Sequence, residues 1–222
     1  MSFSPELAKQ HLIIFTRYPQ PGKTKTRLIP ALGVEGAANL QRQMTEYTLS
    51  KVKKLCKSIA ISFEVRFADG NLQLMQSWLG TELNYQLQGE GDLGKRMENS
   101  FLNAFNKGAQ KVVIIGIDCP GVDTEVLVEA FEKISDCDLL LGPAVDGGYY
   151  LIGLKRAIGE LFINIDWGTA KVLQQTVDIA QQLNLSVGYL RSLADVDRPE
   201  DLPIWQNSYQ LPVNSYQIFK RS

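Results

Sequence analysis

A carboxylate follows the most apolar segment of the sequence. Five of the six residues from Val112 to Ile117 are Val or Ile, and the next residue is Asp118. This composition is typical of a strand that is buried on both faces of a parallel sheet. Ligands of open α/β sheets bind beyond the carboxyl ends of the strands, so Asp118 is a candidate for holding a metal ion and its phosphates. The alternative is that Asp118 caps the turn made by Pro120 and Gly121.

A basic loop follows the first predicted strand. It contains two prolines and Gly22, and it carries Arg17, Lys23, Lys25 and Arg27. In an extended chain the alternating Lys23, Lys25 and Arg27 would project to one side, where they could bind a polyphosphate. The alternative is a solvated basic loop. The Gly-Lys-Thr sequence at Gly22 is not a P-loop, because the position five residues earlier, which the Walker pattern requires to be glycine, is Arg17.

A glycine-rich segment precedes the third predicted helix. Gly89, Gly91 and Gly94 form a G-x-G-x-x-G pattern. A dinucleotide fingerprint belongs in the first strand–helix unit and has an acidic residue about twenty positions later. This pattern instead follows two earlier predicted strands, and residue 114 is Ile. The sequence therefore argues against an NAD site, although the glycines would let a ligand approach the backbone closely.

Three further aspartates lie in turn-forming segments. Asp146 precedes two glycines, which predicts a turn, or alternatively room for a sugar or another small polar substrate. Asp195 and Asp197 are separated by one residue, so in an extended segment both carboxylates would face one side and could share a divalent cation. The alternative is an acidic turn before a helix that begins near Pro199.

The composition excludes several classes of site and partner. His11 is the only histidine and there is no G-x-S-x-G, so a Ser-His-Asp triad and a zinc site both lack their residues. The net charge of −1 gives no general attraction for nucleic acid, and no apolar run is long enough to span a membrane. The first ten residues lack a signal-peptide pattern and the three cysteines lie far apart, so we expect free thiols in the cytoplasm.

Hydrophobic periodicity predicts alternating strands and helices. Strands are expected at residues 12–15, 59–67, 83–87, 112–117, 138–142, 149–152 and 185–190, and helices at 34–57, 72–79, 93–107, 124–134 and 169–183, with a short helix and a tail after residue 199. The strand at 149–152 would form a hairpin or a crossover with the strand before it. This order predicts one α/β domain over residues 1–222, with a mostly parallel central sheet and helices on both faces.

Four stretches of the sequence occur in the order found in a known family. They are residues 21–28 (PGKTKTRL), 116–120 (GIDCP), 143–153 (PAVDGGYYLIG) and 195–202 (DVDRPEDL). They resemble a bacterial family of presumed glycosyltransferases, once catalogued as a domain of unknown function, within the nucleotide-diphospho-sugar transferase superfamily. Some of its members are associated with radical-SAM genes. The resemblance covers nearly the whole chain and implies a Rossmann-like GT-A domain. The same stretches are more distantly similar to guanylyltransferases such as the 2-phospholactate enzyme.

The resemblance assigns roles to residues at the predicted site. Phosphate binding would fall to the loop after the first strand, with Arg17, Gly22, Lys23, Lys25 and Arg27. The segment from Gly89 through Gly94 to Arg96 would lie near the base or the ribose. Asp118 would bind Mg or Mn, completed by Asp195 or Asp197, and Asp146 would face the transferred group or the acceptor. The typical Asp-x-Asp of the fold is incomplete here, because its third position is Pro120.

The resemblance also implies an activity. We expect a metal-dependent enzyme that transfers a glycosyl group from a nucleoside-diphosphate sugar to a small-molecule acceptor, with Asp118 and Asp146 as the catalytic residues. The first alternative is nucleotidyl transfer from a nucleoside triphosphate to a phosphorylated acceptor, with release of pyrophosphate, which the dense basic loop would suit. The second alternative is a nucleotide-binding protein that has lost the chemistry.

Overall fold

A computed structural model describes residues 8–208 of the chain, which form seven strands and six helices. The strands are β1 Gln10–Arg17, β2 Ser62–Ala68, β3 Tyr85–Leu87, β4 Lys111–Ile115, β5 Leu139–Pro143, β6 Tyr149–Leu154 and β7 Val187–Tyr189. The helices are α1 Ile29–Leu55, α2 Leu72–Leu79, α3 Leu93–Asn106, α4 Thr124–Lys133, α5 Val172–Gln182 and α6 Leu202–Ser208. Short 3₁₀ turns occur at Thr26–Leu28, Gly159–Phe162 and Pro199–Asp201. The predicted tail and most of the segment tested for a signal peptide lie outside the described residues.

All seven strands form one sheet in the order β3-β2-β1-β4-β6-β5-β7. Every neighbouring pair is parallel except the two pairs that involve β6, which runs antiparallel to β4 and to β5. The predicted fold class is therefore confirmed. The open alternative for residues 149–152 is resolved as a hairpin, since β6 returns directly along β5 with a bulge between Gly142 and Pro143.

Helices cover both faces of the sheet. Leu12 and Ile14 of β1 point into one apolar core, which α1, α2, α4 and α6 cover. Ile13 and Phe15 point into a second core on the opposite face, which α3 and α5 cover. Because successive side chains of a strand alternate between faces, a segment buried in both cores must be apolar, as residues 12–15 of β1 and 112–115 of β4 are. No helix within residues 8–208 is long and apolar enough to cross a membrane.

Local capping signals place several helix ends. The Asp92 side chain accepts a hydrogen bond from the Lys95 backbone N–H at 2.8 Å, and Asp123 accepts one from Val126 at 2.8 Å, so each carboxylate caps the helix that follows it. The first helix begins earlier than the predicted residue 34. The chain kinks at Gly33, whose φ of 73° is open to glycine, and a short helical turn precedes the kink.

The strict alternation that predicts β2 does not give it a solvent face. Glu64 and Arg66, on the face expected to be polar and exposed, are both buried. They form an ion pair at 2.5 Å beside His11, whose Nδ1 lies 2.8 Å from the Ser62 hydroxyl. The second face is therefore filled by a buried charged cluster of Glu64, Arg66 and His11, in which the Glu64–Arg66 ion pair offsets the cost of burying both charges.

Two segments near the predicted site differ from expectation. Strand β4 ends at Ile115, so Gly116 and Ile117 carry the chain onward to Asp118. The basic loop is not extended. Lys25 adopts the left-handed conformation with φ 50° and ψ 41°, and a 3₁₀ turn begins at Thr26, so the alternating basic side chains do not share one side.

Candidate functional site

The candidate site lies at the carboxyl ends of β1 and β4, where four separate segments meet. These are the basic loop after β1, the segment Gly116–Asp118 after β4, the turn between β5 and β6, and the acidic segment that contains Asp195 and Asp197. The backbone carbonyl of Asp118 accepts a hydrogen bond from the Val196 N–H at 2.8 Å, which joins the second segment to the fourth. The site therefore forms at the sheet edge where ligands of this fold class bind.

Lys25 reaches across the site to the central aspartate. Its ammonium nitrogen lies 2.7 Å from Asp118 Oδ1 and 2.5 Å from the backbone oxygen of Val196. The lysine side chain is only 4% exposed, whereas that of Asp118 is 53% exposed. An ammonium group that is buried needs such partners. Lys25 thus fixes a positive charge against Asp118 while the carboxylate stays open to solvent.

Arg27 makes a second ion pair at the same place. Its Nη1 donates to Asp197 Oδ2, and this hydrogen bond and the negative charge of Asp197 raise the pKa of Arg27. Asp201 holds the acidic segment in position, because its Oδ2 accepts from the backbone N–H groups of Asp197 at 3.1 Å and Arg198 at 2.8 Å. Lys25 thus contacts a carboxylate 93 residues away in the sequence, and Arg27 contacts one 170 residues away. The Lys23 side chain, in contrast, is exposed.

The carboxylates of Asp146 and Asp195 lie close to that of Asp118. Burial raises the pKa of Asp195, and the negative charges of Asp146 and Asp118 raise it further. Burial and the carboxylates of Asp118, Asp195 and Asp146 also raise the pKa of the Cys119 thiol. Cys119 is therefore protonated at neutral pH and is not a nucleophile of the site. Carboxylates that lie close together repel one another, and a bound cation relieves this repulsion. The site therefore favours the binding of a positively charged group.

Asp146 closes the turn between β5 and β6. Its Oδ1 accepts a hydrogen bond from the Gly148 N–H at 2.9 Å, so the turn predicted from the Asp-Gly-Gly sequence is confirmed. Gly147 has φ 92°, and its carbonyl accepts from the Leu173 N–H at 3.0 Å, which fastens the turn to the start of α5. The other oxygen of Asp146 is left to face the cleft, which the residue lines.

Two adjoining clefts open at the site. The first has a volume of about 430 Å³ and runs along the ends of β1 and β4 toward α3. The second has a volume of about 320 Å³ and lies between the acidic segment, the β5–β6 turn and the segment before α5. They share Leu93, Gly116, Asp118, Tyr149 and Tyr150. The middle of a ligand that spans both clefts would therefore lie beside Asp118.

The glycines and arginines predicted to bind a nucleotide differ in how accessible they are to a ligand. Arg17 and Arg96 line the first cleft, and Arg96 Nε donates to the Gly91 carbonyl at 2.9 Å. Gly89 has φ 87° with open space around its α-carbon, so a ligand could approach it. A side chain at Gly94 would collide with the Trp167 ring at 2.5 Å. Gly94 is therefore explained by packing rather than by contact with a ligand.

Gly22 is the remaining glycine of the predicted phosphate loop. It has φ 78°, and the nearest group to an added Cβ would be the Val34 side chain at 3.8 Å. Its conformation turns the loop back toward α1, and the Thr24 hydroxyl donates to the Gln20 carbonyl at 3.2 Å within that turn. These contacts shape the loop that carries Lys25 and leave the phosphate role of Gly22 a prediction.

Several residues of the clefts carry no recognisable sequence signal. Thr16, Gln41 and Gln88 are buried and form a hydrogen-bonded network at the inner end of the first cleft. Tyr149 and Trp167 line the second cleft, and their hydroxyl and indole N–H are sealed from solvent without a partner in residues 8–208. Tyr149 lies within the 143–153 stretch, but Thr16, Gln41, Gln88 and Trp167 belong to no motif, because their chemistry depends on contacts with distant segments.

A family model described as "Uncharacterized protein conserved in bacteria (DUF2064)" matches residues 51–169, which is more than half of the chain. The chain belongs to this family. A crystal structure of a presumed nucleotide-diphospho-sugar transferase from Desulfovibrio desulfuricans G20 is 31% identical, with a TM-score of 0.85. The match covers 97% of this chain and 92% of that chain. No curated protein matches the chain.

More distant solved structures share the fold of this DUF2064 member. CMP:2-keto-3-deoxy-manno-octonic acid synthetase, complexed with CTP, is 10% identical with a TM-score of 0.54, over 90% of this chain and 98% of that chain. A presumed glucose-1-phosphate thymidylyltransferase from Bacillus anthracis is 13% identical with a TM-score of 0.54, over 91% of this chain and 96% of that chain. These two matches show a shared fold, while the family model and the Desulfovibrio structure support the superfamily that the four motifs resemble.

The carboxylates of the DUF2064 member suit a cation that brings its own phosphate ligands. Residues 8–208 contain no group of three or more His, Cys, Asp or Glu side chains arranged to hold a metal ion. Lys25 already contacts Asp118, and Arg27 already contacts Asp197. Mg²⁺ in proteins commonly uses one or two carboxylates and completes its coordination with water and substrate phosphates. The hard oxygen donors of Asp118 and Asp195 fit that arrangement.

Proposed function

We propose that this protein is a transferase that uses an activated nucleotide, and that it transfers a glycosyl group from a nucleoside-diphosphate sugar to a small-molecule acceptor. The observation that carries the proposal is the meeting of Lys25 and Arg27 with Asp118, Asp195 and Asp197 at the carboxyl edge of the sheet. The likeness to the Desulfovibrio protein, which is 31% identical, supports it. An association with radical-SAM genes stays a prediction.

The two cations of the basic loop are proposed to bind the diphosphate. Lys25 and Arg27 each contact a carboxylate in the free protein, and a phosphate group would offer each of them a stronger, multiply charged partner. Their positive charges would also stabilise the charge that develops on the departing nucleoside diphosphate. Arg17 and Arg96 line the neighbouring cleft and are proposed to contact the rest of the nucleotide.

A divalent cation, Mg or Mn, is proposed to bind together with the nucleotide. Asp118 and Asp195 would hold it, while Asp197 is proposed to join only if Arg27 turns to the phosphates. When bound, such a cation neutralises charge on a diphosphate and makes it a better leaving group. The chain's own contribution is to bring carboxylates and two basic side chains together at one place, where the basic groups would contact the phosphates and the carboxylates would hold the cation.

Asp146 is proposed to orient the acceptor. It lines the second cleft, where Trp167 and Thr169 form the opposite wall. One carboxylate oxygen is engaged in the turn through Gly148, which holds the side chain in place and leaves the other oxygen for a hydroxyl of the acceptor. A carboxylate so placed could accept the proton of that hydroxyl as the glycosyl bond forms.

Nucleotidyl transfer is a second candidate, and the number of basic groups favours it. Lys23, Lys25, Arg27, Arg17 and Arg96 all lie on segments that border the clefts, which is more positive charge than a diphosphate requires. In this alternative a nucleoside triphosphate would react with a phosphorylated acceptor and pyrophosphate would leave.

The experiment that tests the proposal combines binding with product analysis. Melting temperatures are measured with a panel of nucleoside triphosphates and nucleotide sugars, each with and without Mg²⁺ or Mn²⁺, because a ligand of the native state raises the melting temperature. The stabilising nucleotides are then incubated with candidate acceptors. Release of a nucleoside diphosphate would support glycosyl transfer and release of pyrophosphate the second candidate. Tight binding that ignores the metal, without any turnover, would contradict both.

A further inference from the structure

Two buried glutamine side chains lie at the inner end of the first cleft. Gln41 comes from α1 and is 4% exposed, and Gln88 follows β3 and is 7% exposed. Both line the cleft, and both are hydrogen-bonded to the end of β1 around Thr16. A primary amide can donate through its nitrogen and accept through its oxygen, so its orientation decides what it offers to a ligand.

The orientation of Gln88 is fixed by backbone carbonyls. Its Nε2 donates to the Thr16 carbonyl at 2.9 Å and to the Arg66 carbonyl at 3.2 Å. A carbonyl oxygen can only accept, so the amide nitrogen must face these two groups. Both of its hydrogens are thereby used. Gln88 can offer only its Oε1 to a ligand, which makes it an acceptor.

Gln41 is oriented in the same way. Its Nε2 donates to the Arg17 carbonyl at 3.3 Å and to the Thr16 hydroxyl at 3.2 Å. The Thr16 hydroxyl lies 2.7 Å from that of Thr45, which in turn donates to the backbone carbonyl of Gln41 at 3.0 Å. Whichever of the two hydroxyls donates to the other, the Arg17 carbonyl can only accept, so the Gln41 amide nitrogen must face it. Gln41 therefore also keeps only its Oε1 for a ligand.

Neither amide oxygen has a donor within residues 8–208. Neither belongs to the buried atoms that are sealed without a partner, so each retains contact with solvent through the cleft that the two residues line. The inner end of the cleft thus presents two hydrogen-bond acceptors held by nearly buried side chains. A ligand group that occupies this end without donating would leave both acceptors unpaired, at a cost in binding free energy.

We propose that the nucleotide bound here carries an amino-bearing base, with uracil and thymine disfavoured. This inference rests on the proposed function, since it names the class of donor nucleotide for the same site. Cytosine, adenine and guanine each have an exocyclic amino group that can donate to amide oxygens, and guanine adds a neighbouring ring N–H. Uracil and thymine have a carbonyl oxygen where cytosine has its amino group, and their ring N3–H can donate to only one of the two amide oxygens, so the other would stay unpaired.

Matched nucleotide pairs test the inference on the full-length wild-type protein. CDP and UDP differ at position 4 of the base by an amino group against a carbonyl oxygen, and GDP and IDP differ by the amino group at position 2. Dissociation constants are measured by isothermal titration calorimetry with Mg²⁺ present. In a pair that shows binding, we expect the amino-bearing nucleotide to bind roughly tenfold more tightly than the other. The reason is that it makes one more hydrogen bond and leaves one fewer amide oxygen unpaired.

The outcomes separate this inference from the proposed function. Equal affinities within both pairs, or tighter binding of UDP than of CDP, would overturn the inference while leaving a nucleotide-using transferase. Failure of these four nucleotides and of ADP, which carries the remaining amino-bearing base, to bind would overturn the proposed function and this inference with it. Each result is obtained with unmodified protein, so it does not depend on whether a variant folds.

Gln88→Met adds a second measurement. Methionine has a similar length without the amide oxygen, so the ratio of CDP to UDP affinity should fall toward one while binding through the phosphates persists. Gln86→Met is the matched control, because Gln86 lies on β3 with an exposed side chain and borders neither cleft. An unchanged ratio in Gln88→Met with an unchanged melting temperature would overturn the role of Gln88.

Discussion

At the scale of single residues, Lys25 holds the most unusual position in the site. It combines a left-handed backbone conformation with a side chain that is nearly buried against Asp118 and the Val196 carbonyl. Backbone strain of this kind costs on the order of 1–3 kcal/mol and tends to persist where the surroundings require it. This conformation places an ammonium group against Asp118, which lines both clefts, and that position agrees with a phosphate-binding role.

Replacing Lys25 should weaken nucleotide binding. We expect Lys25→Met to raise the dissociation constant of the best nucleotide by roughly 10- to 100-fold, because a charge-assisted hydrogen bond to phosphate is lost. The measurement is calorimetric titration in low salt. Lys53→Met is the control, since Lys53 is an exposed lysine of α1 that lines neither cleft. A dissociation constant in Lys25→Met that matches the control would contradict the phosphate role.

The ion pair at Asp118 also leads to an expectation about the metal. Because Lys25 already neutralises part of the charge on Asp118, the free protein should bind Mn²⁺ weakly, and a bound nucleotide should increase its Mn²⁺ affinity at least tenfold. The coupling must be reciprocal, so Mn²⁺ should tighten nucleotide binding by the same factor. Electron paramagnetic resonance of free Mn²⁺ measures the first effect. Equal Mn²⁺ affinity with and without nucleotide would rule out joint binding.

At the scale of elements, the turn between β5 and β6 is held against the start of α5. A Cβ added to Gly147 would lie 2.3 Å from the Ala170 carbonyl oxygen, and the Gly147 carbonyl accepts from Leu173 at 3.0 Å. This contact joins the wall that contains Asp146 to the wall that contains Trp167. The shape of the second cleft therefore depends on the absence of a side chain at one position.

Gly147→Ala should separate these two walls. We expect it to lower the free energy of unfolding by about 2 kcal/mol more than Gly80→Ala, since both glycines have a positive φ but only Gly147 has backbone within reach of a new Cβ. Denaturant unfolding gives both values. If the two variants lose the same stability, the close approach at Ala170 does not constrain the turn.

At the scale of the whole molecule, the buried charged cluster makes stability depend on pH. Burial alone would raise the pKa of Glu64, but the neighbouring His11 and the ion pair with Arg66 outweigh it and hold the pKa at about 2. A carboxyl whose pKa is lowered by folding stabilises the native state above its unfolded pKa, and this contribution is lost as the pH falls through the folded pKa. The loss should therefore occur between about pH 4.5 and pH 2.

Glu64→Gln tests this dependence. At pH 7 we expect a loss of about 3 kcal/mol, because Arg66 would remain buried without its ionised partner. Between pH 4.5 and pH 2 the variant should lose less stability than the wild type, since the carboxyl that titrates is gone. Urea unfolding at several pH values measures both effects, with Glu132→Gln at an exposed position of α4 as the control. Parallel pH profiles for wild type and Glu64→Gln would contradict the assignment.

The sequence by itself determined the features that depend on neighbouring residues. Periodicity gave the order of strands and helices and, for α2, its exact bounds of Leu72–Leu79. The caps at Asp92 and Asp123 likewise involve only the residue three positions later in the sequence. Asp118 was placed beyond its strand by the apolar run before it. These signals are local, because side-chain capping and alternation act within a few residues.

Only the tertiary structure decided which distant groups meet. Lys25 and Asp118 are 93 residues apart and Arg27 and Asp197 are 170 apart, so no local pattern could pair them. The same holds for the amide of Gln88, which takes its orientation from Thr16, 72 residues earlier. Sheet order brings these segments to one edge, and burial then forces each polar group to find a partner there. The sequence therefore supplies the residue types of the site, and tertiary packing determines which of them contact one another.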